Sequence, residues 1–245
     1  MDQVSAEEWL RGASEGELEE VEKTTHDTRA WFATIDGVRV FAKWYPSALR
    51  DTWSGVERSI AGQALHPSIV PLERVVKCAG GDLFLYPRVD GENLGQPEAK
   101  HRFSKLPTQE RLTAVLAVCG ALAAVCEAGF AVVDWYEGNM IYDFERRRIW
   151  LFDWELSLPG GSFVLEMDSN YGSSRLQAPE EFVRGSVIDQ VTLVFNLGRF
   201  ALLNLPELAD ELAPVLAKAT YPAKSGRFQT VAELARALQL SVPKH

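Results

Sequence analysis

Residues 134–139 read DWYEGN, between the apolar pieces AVV (131–133) and MIYDF (140–144). Two carboxylates and an amide are an odd set for a short link between strand-like segments. An Asp and an Asn five apart are common in turns, where both side chains cap backbone groups. The same pair can also supply a proton acceptor and oxygen ligands for a hard cation. The rest of the chain has to weigh one use against the other.

Composition narrows the field. The 245 residues allow one large domain or two lobes sharing a cleft, and the 47% apolar and 24% charged content is that of an ordinary globular protein. The net charge of −9 argues against nucleic acid or an anionic membrane as the main partner. Three cysteines, Cys78, Cys119 and Cys126, contain no CxxC and suggest a reducing, cytoplasmic setting. The N-terminal stretch is acidic and polar, unlike a signal peptide. The apolar run 113–126 falls about four residues short of a membrane span. His26, His66, His101 and His245 lie too far apart in sequence for metal-ligand spacing.

Periodicity then sets out the elements. Residues 5–22 have the sparse apolar face of a helix (Trp9, Leu10, Leu18, Val21). AWFATIDGVRVFAKWY (30–45) reads as two strands joined at Asp36-Gly37, the strongest short hairpin signal. A helix over 51–65 follows, with Trp53, Val56, Ile60 and Ala64 on one face and Pro67 as its stop. IVPLERVVKC and LFLYPRV form a second hairpin, and the Gly/Pro-rich DGENLGQPEAK (90–100) marks a lobe boundary. Beyond it come a long apolar helix (107–129), the opening stretch, a short hairpin, a loop over 154–177, and helical patterns at 187–203, 206–219 and 229–240.

Five fragments are informative as a set: VFAK (40–43) ending a strand, Glu57 on the next helix, Asp134 and Asn139, Asp153 after the apolar IWLF, and GSSRLQAPE (172–180). In this order they resemble the protein-kinase superfamily, and the compact bacterial Ser/Thr protein kinases most of all, over about residues 24–240. That resemblance implies an α+β, bilobal protein-kinase-like fold. Its parts would be an acidic helical extension (1–23), a small β-rich N-lobe with one main helix (24–90) and a larger helical C-lobe (91–245).

The implied chemistry is transfer of the γ-phosphate of ATP, with magnesium, to a Ser or Thr hydroxyl of a protein substrate. Such transfer is mostly positioning and charge stabilisation. Lys43 would hold the phosphates and Glu57 the lysine, with Asp134 orienting the acceptor hydroxyl. The metal would sit on Asn139 and Asp153. Nucleotide contacts would come from Phe41, Lys43, Tyr86, Arg88, Asn139 and Asp153. Glu180 would pair with Arg227 as a structural link. The presence of the 172–180 segment tilts the reading toward a protein substrate, away from a small-molecule kinase.

This chain departs from the family in several places. No glycine stands between residues 17 and 36, where a phosphate-hugging loop is expected, and Thr24, Thr25, His26 and Thr28 are the donors available there. Phe41 replaces a small residue over the base. Val132 and Val133 replace His-Arg, Tyr136 replaces the catalytic-loop lysine, and Glu155 displaces a glycine. Leu193 aligns with a supporting aspartate, four residues after Asp189, and Pro87 sits in the hinge. The direct chemical groups are all present and the losses fall on supporting ones, so transfer is the leading expectation. A pseudokinase that binds a partner is the alternative.

Overall fold

The computed structural model describes residues 4–21 and 27–241. They form two compact units, one of Met1–Ala64 with Val70–Val89 and one of Leu65–Ile69 with Asp90–His245.

The first unit is a five-stranded antiparallel sheet with two helices. Its elements are α1 (Ala6–Ala13), β1 (Glu19–Glu20), β2 (Arg29–Ile35), β3 (Val38–Pro46), α2 (Trp53–Ala61), β4 (Arg74–Cys78) and β5 (Gly81–Pro87), with strand order β1-β2-β3-β5-β4. The Asp36-Gly37 hairpin forms as expected, with φ of 52° and 73° at its two turn residues. The N-terminal helix is shorter than its periodicity suggests. It stops at Ala13, and the chain turns to add β1 at the sheet edge. Ser5 and Glu8 close a reciprocal cap at its start. Its apolar side buries Ala6 and Leu10 against Trp31, Ala33, Val40, Ala42, Leu83 and Leu85 of the sheet. Helix α2 also ends early, at Ala61. The face it buries is Ser54, Glu57, Ile60 and Ala61, so of the expected Trp53/Val56/Ile60/Ala64 stripe only Ile60 is buried. The position of a carboxylate on that face is the one that matters below.

The second unit is mainly helical. It contains β6 (Glu92–Asn93), α3 (Pro97–Ser104), α4 (Thr108–Glu127), β7 (Phe130–Ala131), β8 (Met140–Asp143), β9 (Arg148–Leu151), β10 (Leu158–Pro159), β11 (Ser162–Val164), β12 (Val187–Asp189), α5 (Gln190–Asn204), α6 (Ala209–Ala219) and α7 (Val231–Ser241). Part of the expected boundary segment is the helix α3, started by Pro97 at its first turn. The loop expected over 154–177 carries the short strands β10 and β11, paired with β7 and β12. Ile69 bridges to Leu151, which ties residues 65–69 to this unit. Helix α4 has 20 residues, more than its apolar run implied, and by length and composition it passes for a membrane span. Just over half of that span is buried inside the protein, packed on α5, α7 and β9. Cys119 lies in that buried part.

Candidate functional site

In the first unit, β3 carries Phe41, Lys43 and Tyr45 on one face and Val40, Ala42 and Trp44 on the other, as strand alternation requires. The second set meets the α1 side of the sheet. Strand register places Phe32, Phe41 and Tyr86 in one row across β2, β3 and β5. Their rings make a continuous contact, with centroids 5.5 Å apart for Phe32 and Phe41 and 6.1 Å for Phe41 and Tyr86. The Arg88 guanidinium lies 4.3 Å from the Phe32 ring centre, so this residue extends the aromatic row. Phe32 had no place among the expected site residues, although alternation and the hairpin register could have put it beside Phe41.

The next row along holds Ala30, Lys43 and Phe84. The Lys43 ammonium lies 5.1 Å from the Tyr45 ring centre. Glu57 is buried on α2, and the Tyr86 hydroxyl donates a 3.0 Å hydrogen bond to its Oε1. Tyr86 was expected among the nucleotide contacts, and here its polar atom is committed to this glutamate. Thr28 is buried, while Thr24, Thr25 and His26 lie outside the described residues.

In the second unit, the stretch 134–139 wraps tightly around its own backbone. Asp134 and Asp153 both adopt left-handed backbone, with φ of 56° and 70°. Such a conformation costs a non-glycine residue about 1 kcal/mol or more, and it persists only where surrounding structure holds it. The Asn139 amide donates from Nδ2 to the Asp134 carbonyl at 2.8 Å. Burial pushes the Asp134 carboxyl up to about 6, and the charges of Asp153 and Glu155 add to the effect. The Tyr136 phenol is pushed up by burial and then by Asp134 and Asp153, so it stays protonated near neutrality. Its ring lies on Gly138, where an added Cβ would come within 2.3 Å of a ring carbon. Three acids and a phenol therefore share one electrostatic neighbourhood. Among the described residues, no group of three or more His, Cys, Asp or Glu side chains is arranged to hold a metal ion by itself.

Three supports were not legible in the sequence. Glu137 is buried and takes a 2.6 Å bond from Lys100 of α3 and a 3.0 Å bond from Arg175. Burial is the largest single effect and would raise its carboxyl, but the Lys100 hydrogen bond, a backbone hydrogen bond and the charges of Lys100 and Arg175 together hold it below the usual range. The segment after Asn170 comes close to the stretch 134–139: a Cβ added at Gly172 would lie 3.8 Å from the Asp134 Cα. Glu181 anchors that segment by accepting from Asn170 (2.9 Å), the Ala178 amide (2.7 Å) and Asn196 of α5 (2.6 Å). Asp189 caps the N-terminus of α5 through the amides of Val191 and Thr192. It also pairs with Lys224 at 2.7 Å. The expected Glu180–Arg227 pair is present and bidentate, at 2.6 and 2.9 Å.

The fold is that of protein kinases. The kinase domain of Mycobacterium tuberculosis PknI superposes with a TM-score of 0.63 at 20% identity, covering 91% of this chain and 94% of that one. A point mutant of the same domain gives 0.64 at 20% identity, covering 94% and 98%. No protein-family model matches the sequence, and a comparison with curated proteins finds no match.

Proposed function

We propose that this chain is a magnesium- and ATP-dependent phosphotransferase acting on a Ser or Thr hydroxyl of a protein. The observation that carries the reading is the pair Asp134 and Asp153, both held in left-handed backbone and electrostatically coupled, with Asn139 bonded to the Asp134 backbone. Strain at two acids of one neighbourhood is characteristic of sites whose side-chain direction matters more than local comfort.

The donor chemistry fits magnesium. The Asp153 carboxylate and the Asn139 amide oxygen are hard oxygen donors, and magnesium commonly takes one or two protein oxygens with the rest from phosphates and water. The ion would neutralise phosphate charge during transfer. Asp134 would orient the acceptor hydroxyl and take its proton, which favours its ionised form. Lys43 would bind phosphate oxygens, with Glu57 supporting it and Tyr86 holding Glu57 in place. Glu137, through Arg175, would tie the substrate-docking segment to the loop that bears Asp134.

The test is transfer of labelled γ-phosphate from Mg-ATP to protein and to small-molecule pools. Label is expected in protein with the native chain and absent with Asp153→Asn, whose melting temperature stays close to native. Transfer that persists in Asp153→Asn overturns the metal assignment. A second reading, a pseudokinase that binds a partner, is favoured by the aromatic row Phe32–Phe41–Tyr86, which fills the sheet face that bears Lys43. It predicts no thermal stabilisation by Mg-ATP, whereas a ligand at 100 times its dissociation constant adds about 2.7 kcal/mol.

A further inference from the structure

A cationic cluster in the first unit has no part in the reading above. Asp82 of β5 is only 2% exposed, and three cations converge on its carboxylate. Arg50 reaches Oδ1 at 3.2 Å, while Arg58 and Lys77 reach Oδ2 at 3.1 and 2.7 Å. They come from separate places: Arg50 from the turn before α2, Arg58 from α2, and Lys77 from β4. The cationic side chains are 48%, 46% and 51% exposed, so each stands half in solvent.

One buried carboxylate satisfies one cation. Three cations within hydrogen-bond reach of it are close neighbours of one another and repel. The local surplus is two positive charges, on a chain whose net charge is −9. Among the described residues, no other acid forms an ion pair with any of the three. Two further features add to the positive potential and the order of this corner. Helix α2 begins three residues after Arg50 with no side-chain cap and no acid in its first turn. The Arg58 guanidinium also rests 5.4 Å from the Phe84 ring centre.

We propose that Arg50, Arg58 and Lys77, arranged on Asp82, form a binding site for a dianionic phosphate monoester. The charge of such a group matches the surplus of two. Arginine forks suit the planar spread of phosphate oxygens, and lysine adds a point charge. Asp82 holds three flexible side chains with their heads already gathered, which lowers the ordering cost of taking up a ligand. The group can arrive as a free phosphate ion or on a phosphorylated side chain of a peptide. None of these four residues belongs to the candidate site, so the proposal stands apart from the phosphotransferase reading.

The test is calorimetric titration of the full chain, at constant ionic strength, with inorganic phosphate, with a phosphoserine peptide and with the same peptide unphosphorylated. Saturable binding of phosphate, absent with chloride, is expected. Arg50→Ala and Lys77→Ala should each weaken it by about tenfold, equivalent to about 1.4 kcal/mol. Each single variant leaves the buried Asp82 carboxylate two cations, so melting without phosphate should fall only modestly, and Lys77→Gln replaces the alanine variant where the fall is large. A phosphopeptide that binds much more tightly than phosphate identifies a protein-borne source, and equal affinities identify the free ion. The proposal fails if neither phosphate nor phosphopeptide binds, or if binding is undiminished in the Arg50→Ala/Lys77→Ala double variant.

Discussion

Arg227→Ala is the perturbation whose cost can be worked most directly. The Arg227 side chain is 0% exposed and grips both oxygens of Glu180, at 2.6 and 2.9 Å. It also donates to the carbonyls of Tyr221 and Pro222, each at 2.7 Å, and to Val191 at 3.3 Å. Its guanidinium lies 4.8 Å from the Phe195 ring centre. Removing it leaves a mostly buried carboxylate uncompensated and three carbonyls without this donor, a loss of about 3–5 kcal/mol. With a urea slope of about 1–3 kcal/mol/M, the unfolding midpoint should fall by roughly 1 M or more. The effect also depends on pH. Burial is the largest single effect and raises the Glu180 carboxyl, but the Arg227 hydrogen bond and charge, with its backbone and Thr192 hydrogen bonds, together outweigh it, so the native value lies below the ordinary 4.5. That stabilisation is present above the unfolded value and is lost as pH falls through the folded one. In the variant burial, the largest effect, is opposed only by the backbone and Thr192 hydrogen bonds, so the carboxyl rises and its penalty grows as pH rises through the raised value. The stability gap between the two proteins should therefore widen from about pH 4 to about pH 7. A loss under about 1 kcal/mol, the size expected of a surface pair, would refute the argument, as would a gap that does not change with pH.

Asp134→Asn should make the protein more stable at pH 8 while abolishing transfer. A carboxyl lifted to about 6 contributes stability below its unfolded value, and loses it as pH rises through the folded one. Because the side chain is partly exposed, the gain is about 1 kcal/mol, read by thermal melts, and it should vanish near pH 3. Gly138→Ala should cost about 1–3 kcal/mol by driving a Cβ into the Tyr136 ring, and Tyr136→Ala should relieve most of that cost in a double-mutant cycle. Leu10→Ala should cost about 2–5 kcal/mol in urea unfolding, since Leu10 is 0% exposed and packed on the sheet. A cost below 1 kcal/mol there would mean that α1 is dispensable to the first unit.

Much of the architecture was legible from local signals. Alternation and the Asp36-Gly37 turn reach only a few residues along the chain, and they located the β2–β3 hairpin and the faces of β3 correctly. Repeats three and four apart located α4 to α7 for the same reason. The spacing of Asp134 and Asn139 likewise survives into a real contact, because both lie on one short turn. Local signals failed where the chain breaks its own period. Helix α1 ends at Ala13 since the chain is drawn to a sheet edge, and the buried side of α2 is set by Glu57, not by its most apolar residues.

What the tertiary structure alone decided are the partners. Glu57 is met by Tyr86, Glu137 by Lys100 and Arg175, Glu181 by Asn170 and Asn196, and Asp82 by three cations. Each polar residue is visible in the sequence, but its meaning depends on which distant side chain desolvation forces it to satisfy. A buried charge must find a partner somewhere, and only packing determines where. Residue types and order were enough to suggest which chemistry the chain is equipped for. The strained backbone at Asp134 and Asp153, and the aromatic row beside Lys43, arise from long-range packing that no local pattern encodes.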